Sequence, residues 1–97
     1  MSAVIIRSRH EARRLTFFCP GCETIHSVHD GPNGWTFDGD YERPTLSPSV
    51  LVQGVTTPTC HSFVRGGRIE FLGDCAHGMA GQTVDLEPVP EPWASAL

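Results

Sequence analysis

The chain has 97 residues, a hydrophobic fraction of 39%, a charged fraction of 19% and a formal net charge of −4. That is enough for one small domain with a limited core, too apolar for a disordered chain, and too acidic for a general binder of phosphate backbones. No apolar run approaches the ~20 residues of a membrane span, and Met1-Ser2-Ala3-Val4-Ile5-Ile6 is too short for the apolar region of a signal peptide, so the expected location is the cytoplasm.

Short β-rich runs separated by turn residues predict a mainly β fold. It is a small antiparallel, zinc-ribbon-like domain over residues 1–86 with one short helical turn, followed by a Pro-rich tail over residues 87–97. Strands are expected at Ala3 to Arg7, Arg14 to Cys19 and Ile25 to His29. The cluster Asp30-Gly31-Pro32-Asn33-Gly34 is a dense turn signal. Trp35 and Phe37 share one face of a further strand at period two. Asp38 to Pro48 reads as a loop because Pro44 and Pro48 each lack a ladder donor. Ser49 to Gln53 reads as a strand and Gly54 to Thr59 as a loop.

The best-defined element is a hairpin, Cys60 to Arg65 and Arg68 to Gly73, around Gly66-Gly67 in a two-residue type I′ turn. Pairing Arg65 with Arg68 sets Val64 against Ile69, Ser62 against Phe71 and Cys60 against Gly73. His61 and Phe63 then face away from Cys60. Ala76 to Ala80 is expected to make the helical turn and Gln82 to Leu86 the last strand. Pro88, Pro90 and Pro92 predict an extended tail ending in Trp93.

Four cysteines carry the chemistry. Cys19-Pro20-Gly21-Cys22 is a tight bend that aims two thiolates at one ion, and the hairpin brings Cys60 near Cys75. In a reducing compartment, metal is expected rather than disulfide. The expected cofactor is Zn2+ held by Cys19, Cys22, Cys60 and Cys75, with His26, His61 and His77 as alternates for the last position. Four thiolates around a dication leave −2, which calls for N–H donors nearby.

If the thiolates fill that site, His26, His61 and His77 with Asp74 are left to build a second, open metal site carrying an activated water. The competing reading makes the histidines surface groups or partners of the ligands, and Asp74 either the cap of the turn after it or the group that orients His77 or His61. Pro44-Thr45-Leu46-Ser47-Pro48-Ser49 has the look of a catalytic loop. No base is near Ser47 or Ser49 in sequence, so the segment is read as a turn leading into a strand.

Phe18-Cys19-Pro20-Gly21-Cys22 with His26, Trp35, Pro44-Thr45-Leu46-Ser47-Pro48-Ser49, Cys60-His61-Ser62-Phe63, Gly67 and Asp74-Cys75-Ala76-His77 to Gly81-Gln82-Thr83-Val84 together resemble a family of small proteins of tailed phages and prophages. Many members bear the label "ammonia monooxygenase". That enzyme is a large membrane-bound copper protein, and nothing in this chain matches its chemistry. A looser resemblance runs to a domain of unknown function, found near bacterial ubiquitin-like genes and suggested to be peptidase-like, with a Cys-x-Ser-His-Phe type motif. Here histidine precedes serine, as Cys60-His61-Ser62-Phe63.

The resemblance implies a phage-encoded, zinc-stabilised module that binds a host or phage macromolecule, with a protein in the host cytoplasm as partner, in one version an inhibited host defence protein. This reading leans away from an enzyme. The alternative is a zinc-dependent, peptidase-like hydrolase using His61, Asp74 and His77. A third reading is a single-strand nucleic-acid binder using the Arg-rich start with Phe17, Phe18 and Trp35, which the net charge disfavours.

Overall fold

A computed structural model describes residues 3–53 and 59–97. The predicted loop from Gly54 to Thr59 falls largely outside them. The fold is mainly β, built from nine short strands and one helical turn among the described residues. They are β1 (Ile5–Arg7), β2 (Arg14–Cys19), β3 (Thr24–His29), β4 (Thr36–Phe37), β5 (Leu46–Ser47), β6 (Val50–Val52), β7 (Cys60–Arg65), β8 (Arg68–Phe71), β9 (Thr83–Asp85) and α1 (Trp93–Ala96). They form three antiparallel sheets, β1-β2-β3, β4-β5 and β6-β7-β8-β9.

The predicted strands agree closely with this list, and β2 and β7 have the expected ends. β7 alternates buried and partly exposed residues, whereas on β2 Thr16 is buried as well, on the other face. Leu15, Phe17 and Cys19 on β2 are fully buried, as are Val64 and Ser62 on β7, with Cys60 at 1% exposure. These residues join Ile5, Val28, Leu46, Val50, Ile69 and Phe71 in one buried cluster, so the first and third sheets share a core. A one-residue slip of either strand would turn this apolar set toward solvent.

The β7–β8 register is the predicted one, with Arg65 opposite Arg68, Val64 opposite Ile69 and Ser62 opposite Phe71. Gly66 and Gly67 have φ of 57° and 80°, as a type I′ turn requires. A Cβ on Gly67 would also lie 3.0 Å from the Arg43 Cα. Gly67→Val combines a disfavoured backbone region with a clash, so it should lower stability by ~1–3 kcal/mol in a denaturant titration.

Three expectations need correction. The segment from Asp38 to Pro48 contains β5, a two-residue strand lying between the two prolines and pairing with β4. Ala76 to Ala80 forms turns rather than a helix. The helical turn is α1, at the end of the tail.

That tail is tied to the body rather than extended into solvent. Leu86 and Val89 are buried, and Trp93 packs on Phe18 with ring centroids 5.9 Å apart. Arg9 N–H donates to the Leu97 carbonyl at 3.2 Å, and the Arg9 guanidinium donates to the Ser95 carbonyl. The prolines shape the path, while the apolar residues between and after them choose where it lies. Burying one Val side chain is worth roughly 1.5–3 kcal/mol, and 1 kcal/mol moves the midpoint of a domain this size by about 4–8 °C. Truncation after Leu86 should therefore lower Tm by at least ~5 °C in a calorimetric scan.

Candidate metal centre and Ser-His-Asp site

The turn between β2 and β3 forms the first half of the candidate metal centre. Cys19 closes β2, Thr24 opens β3, and the two pair across the hairpin base. Cys22 N–H donates to Cys19 Sγ at 3.4 Å, and Glu23 N–H donates to the Cys19 carbonyl at 2.8 Å. The residue at positive φ is Glu23, at 55°, rather than a glycine. Gly21 is needed for a different reason. The His77 ring lies directly over it, and a Cβ there would come within 2.3 Å of the ring.

Cys60, at the start of β7, supplies the other half. Its Sγ lies 3.8 Å from Cys19 Sγ. Zinc–sulfur bonds of about 2.3 Å at a tetrahedral angle put two sulfurs about 3.8 Å apart. Ligand atoms of Cys19, Cys22, His26 and Cys60 all lie within 4.8 Å of one another. His26 reaches the group from β3, on the face that also carries Val28, with its ring edge-on to Phe17. His26 Nε2 is buried and has no hydrogen-bond partner. A buried imidazole nitrogen with no hydrogen-bond partner beside three thiols fits a metal ligand, because an unsatisfied buried acceptor costs about 1–3 kcal/mol.

A hydrogen bond with Cys60 pulls Cys19 down to about 4. The same contact pushes Cys60 far up, and burial pushes Cys22 up to about 11. A dication stabilises the thiolates instead, and its binding releases protons.

The other expected ligands are placed differently. Cys75 belongs to a second group with Cys60 and His77. Its Sγ accepts from His61 N–H at 3.2 Å and donates to the His61 carbonyl at 3.1 Å. His77 Nδ1 accepts from Met79 N–H at 3.2 Å. In the neutral ring this puts the proton on Nε2, which donates to Cys60 Sγ at 3.4 Å. His77 therefore supplies an N–H donor of the kind that a thiolate-rich site calls for.

The opposite face of β7 holds a different constellation. His61 Nε2 accepts from Ser49 Oγ at 2.8 Å. His61 Nδ1–H donates to Asp74 Oδ2 at 3.0 Å. The strand register explains the meeting. Val50 pairs with Ser62 and Leu51 with His61, so Ser49 and His61 are diagonal neighbours on one face. Asp74 arrives through the turn after β8, held there by the Cys75 thiol on the His61 backbone.

This corrects the reading of Ser49 and decides between the two readings of Asp74. Ser49 does have a base, twelve residues away in the chain and across a strand pair. Asp74 is the partner of His61. The open metal site of His61, His77 and Asp74 does not assemble, because both His61 nitrogens are engaged and His77 faces Cys60. Ser62, the serine next to His61 in sequence, is fully buried on the Cys60 face and its hydroxyl has no partner. Phe17 is core, Phe18 lies under Trp93, and Trp35 packs on the core.

A serine bonded to an imidazole whose other nitrogen is held by a carboxylate is the arrangement that activates serine in acyl transfer. The family model for "Bacterial ubiquitination-like system serine protease (BubE)" matches residues 1–72. The chain belongs to this family. The matched segment includes Ser49 and His61 and ends two residues before Asp74. It also supports the looser of the two resemblances, to the domain found near ubiquitin-like genes. No curated protein and no solved structure matches. No helix among the described residues is long and apolar enough to cross a membrane.

The two histidines near the thiols give separable outcomes. His26→Ala should reduce bound metal well below one per chain in elemental analysis. His77→Gln should leave metal content near wild type, with a stability loss of ~1–2 kcal/mol from the lost N–H···S bond. The reverse result would exchange their roles.

Proposed function

We propose that the protein is a small serine hydrolase of the peptidase type, with Ser49 as nucleophile, His61 as general base and Asp74 as the group that orients His61. The observation that carries this reading is the continuous bond chain Ser49 Oγ–His61–Asp74, at 2.8 and 3.0 Å. Ser49 Oγ attacks the substrate carbonyl carbon as its proton passes to His61 Nε2. That proton then goes to the leaving amine or alcohol as the acyl–Ser49 bond remains. Water, deprotonated by His61 in turn, releases the acid and restores Ser49. Every step uses the chain's own side chains.

The metal has a structural role in this proposal. Zinc held by Cys19, Cys22, His26 and Cys60 would pin the β2–β3 turn to the start of β7 and thereby fix the strand that carries His61. A three-sulfur, one-nitrogen donor set suits zinc. The substrate we propose is a polypeptide, in keeping with the family description. The macromolecular partner read from the sequence then becomes the substrate.

A fluorophosphonate probe tests the triad without knowledge of the substrate. Wild type should be labelled at Ser49, and Ser49→Ala should not be labelled. His61→Gln should slow labelling by at least ~10³-fold. Asp74→Asn should cost less, about 10–100-fold. The Asp74 side chain is 57% exposed, and solvent screens its charge more than in triads with a buried carboxylate. Labelling of Ser49→Ala at the wild-type rate would overturn the assignment.

A further inference from the structure

The outer edge of β6 bears on how a substrate reaches Ser49. Sheet order β6-β7-β8-β9 leaves β6 with no strand on its far side among the described residues. Backbone directions fix what that edge offers. Leu72 N–H donates to the His61 carbonyl at 2.9 Å, and His61 N–H donates to Cys75 Sγ. Both His61 backbone groups therefore point toward β8. Leu51 stands opposite His61. It is thus at a non-hydrogen-bonded position, and its N–H and carbonyl point away from β7.

The side chains on this edge follow the same alternation. Leu51 shares the face of Ser49 and His61, and it is 48% exposed although apolar. Phe63, next to His61 on that face, is half-buried under the Arg65 guanidinium, 4.0 Å from its ring centre. Extending the register one residue puts the Ser49 N–H on the outward side too. The Ser49 carbonyl already accepts from Trp35 Nε1 at 3.3 Å.

We infer that the outer edge of β6 binds an extended peptide segment of the substrate, which adds as an antiparallel strand with its scissile carbonyl opposite Ser49. This rests on the triad reading above. One segment residue exchanges both backbone hydrogen bonds with Leu51 and lays an apolar side chain against Leu51. In an antiparallel pair, the residue two places further toward the segment's C-terminus falls opposite Ser49. Its carbonyl accepts from Ser49 N–H while Oγ attacks its carbon, so the same N–H stabilises the developing oxyanion. Since Trp35 occupies the Ser49 carbonyl, pairing stops at the bond to be cut. Continuity with Ser49 is what selects a peptide substrate as the occupant.

Acetyl-peptide diphenyl phosphonates test this directly, as a panel with the residue at phosphorus varied. Ser49 Oγ displaces phenol from phosphorus, and the proton leaves with the phenol through His61. N-methylation two residues before the phosphorus-bearing residue should slow labelling at least ~10-fold. N-methylation of the residue between them should change it little. Leu51→Pro, tolerated on an edge strand, should lower the ratio of peptide to fluorophosphonate labelling rates by the same ~10-fold with the unmethylated peptide. Equal effects of the two methylations, or an unchanged ratio in Leu51→Pro, would overturn the inference. So would a dimer in size-exclusion chromatography that Leu51→Pro dissociates without changing that ratio, since the edge would then serve self-association. If fluorophosphonate fails to label wild type, the triad reading fails first. Hydrogen exchange at Leu51 N–H with the unreactive acetyl-peptide amide still separates the two: protection supports the edge, and its absence overturns it.

Discussion

Strand β7 places Cys60 and His61 one residue apart and on opposite faces, and the rest of the molecule is arranged around that alternation. Period two along a strand makes the separation unavoidable. Cys60 faces inward to Cys19, Cys22 and His26, and His61 faces outward to Ser49 and Asp74. Whatever holds Cys60 in place therefore also holds the backbone of His61. The two sites need not touch to depend on each other.

A second link runs through the segment after β8. Cys75 grips the His61 N–H and carbonyl with one sulfur, and Asp74, the preceding residue, takes the His61 ring. Two residues further on, His77 donates to Cys60 from the other side. Three neighbours in the chain thus bracket β7 above and below. Sequence proximity here is used to bind both faces of one strand, and the narrow space over Gly21 that admits the His77 ring is part of the same device.

A domain of this size buries a modest core, so a metal held by the Cys19, Cys22, His26 and Cys60 cluster would matter energetically. Small domains leave a large share of their surface exposed, and structural zinc in small modules contributes on the order of 10 kcal/mol of apparent binding energy, comparable to the stability of a whole domain. The C-terminal strap adds to the same effect by covering Phe18 with Trp93 and burying Val89. Asp74 is the exposed member of the bond chain, so orientation of the imidazole is a larger part of its contribution than charge.

The sequence by itself determined the strands whose patterns were local. A β-rich apolar run marked β2, alternation fixed β7, Gly66-Gly67 fixed the β7–β8 register, and Cys19-Pro20-Gly21-Cys22 marked one half of the candidate metal centre. It also separated His61 from Cys60, since that follows from period two alone. Only the tertiary structure decided what each face would meet. Ser49 found its base through the β6–β7 pairing, on the far side of a connection whose length carries no signal. Ser62, adjacent to His61 in the chain, was excluded by the same alternation that sends it into the core. His26 came to the thiols because β3 folds back on β2. Asp74 went to His61 rather than to the turn after it, because the backbone of His61 takes the Cys75 sulfur. Local propensity reads dihedral angles and faces, whereas a bond between side chains on different strands is set by register and packing, which no short stretch of sequence contains.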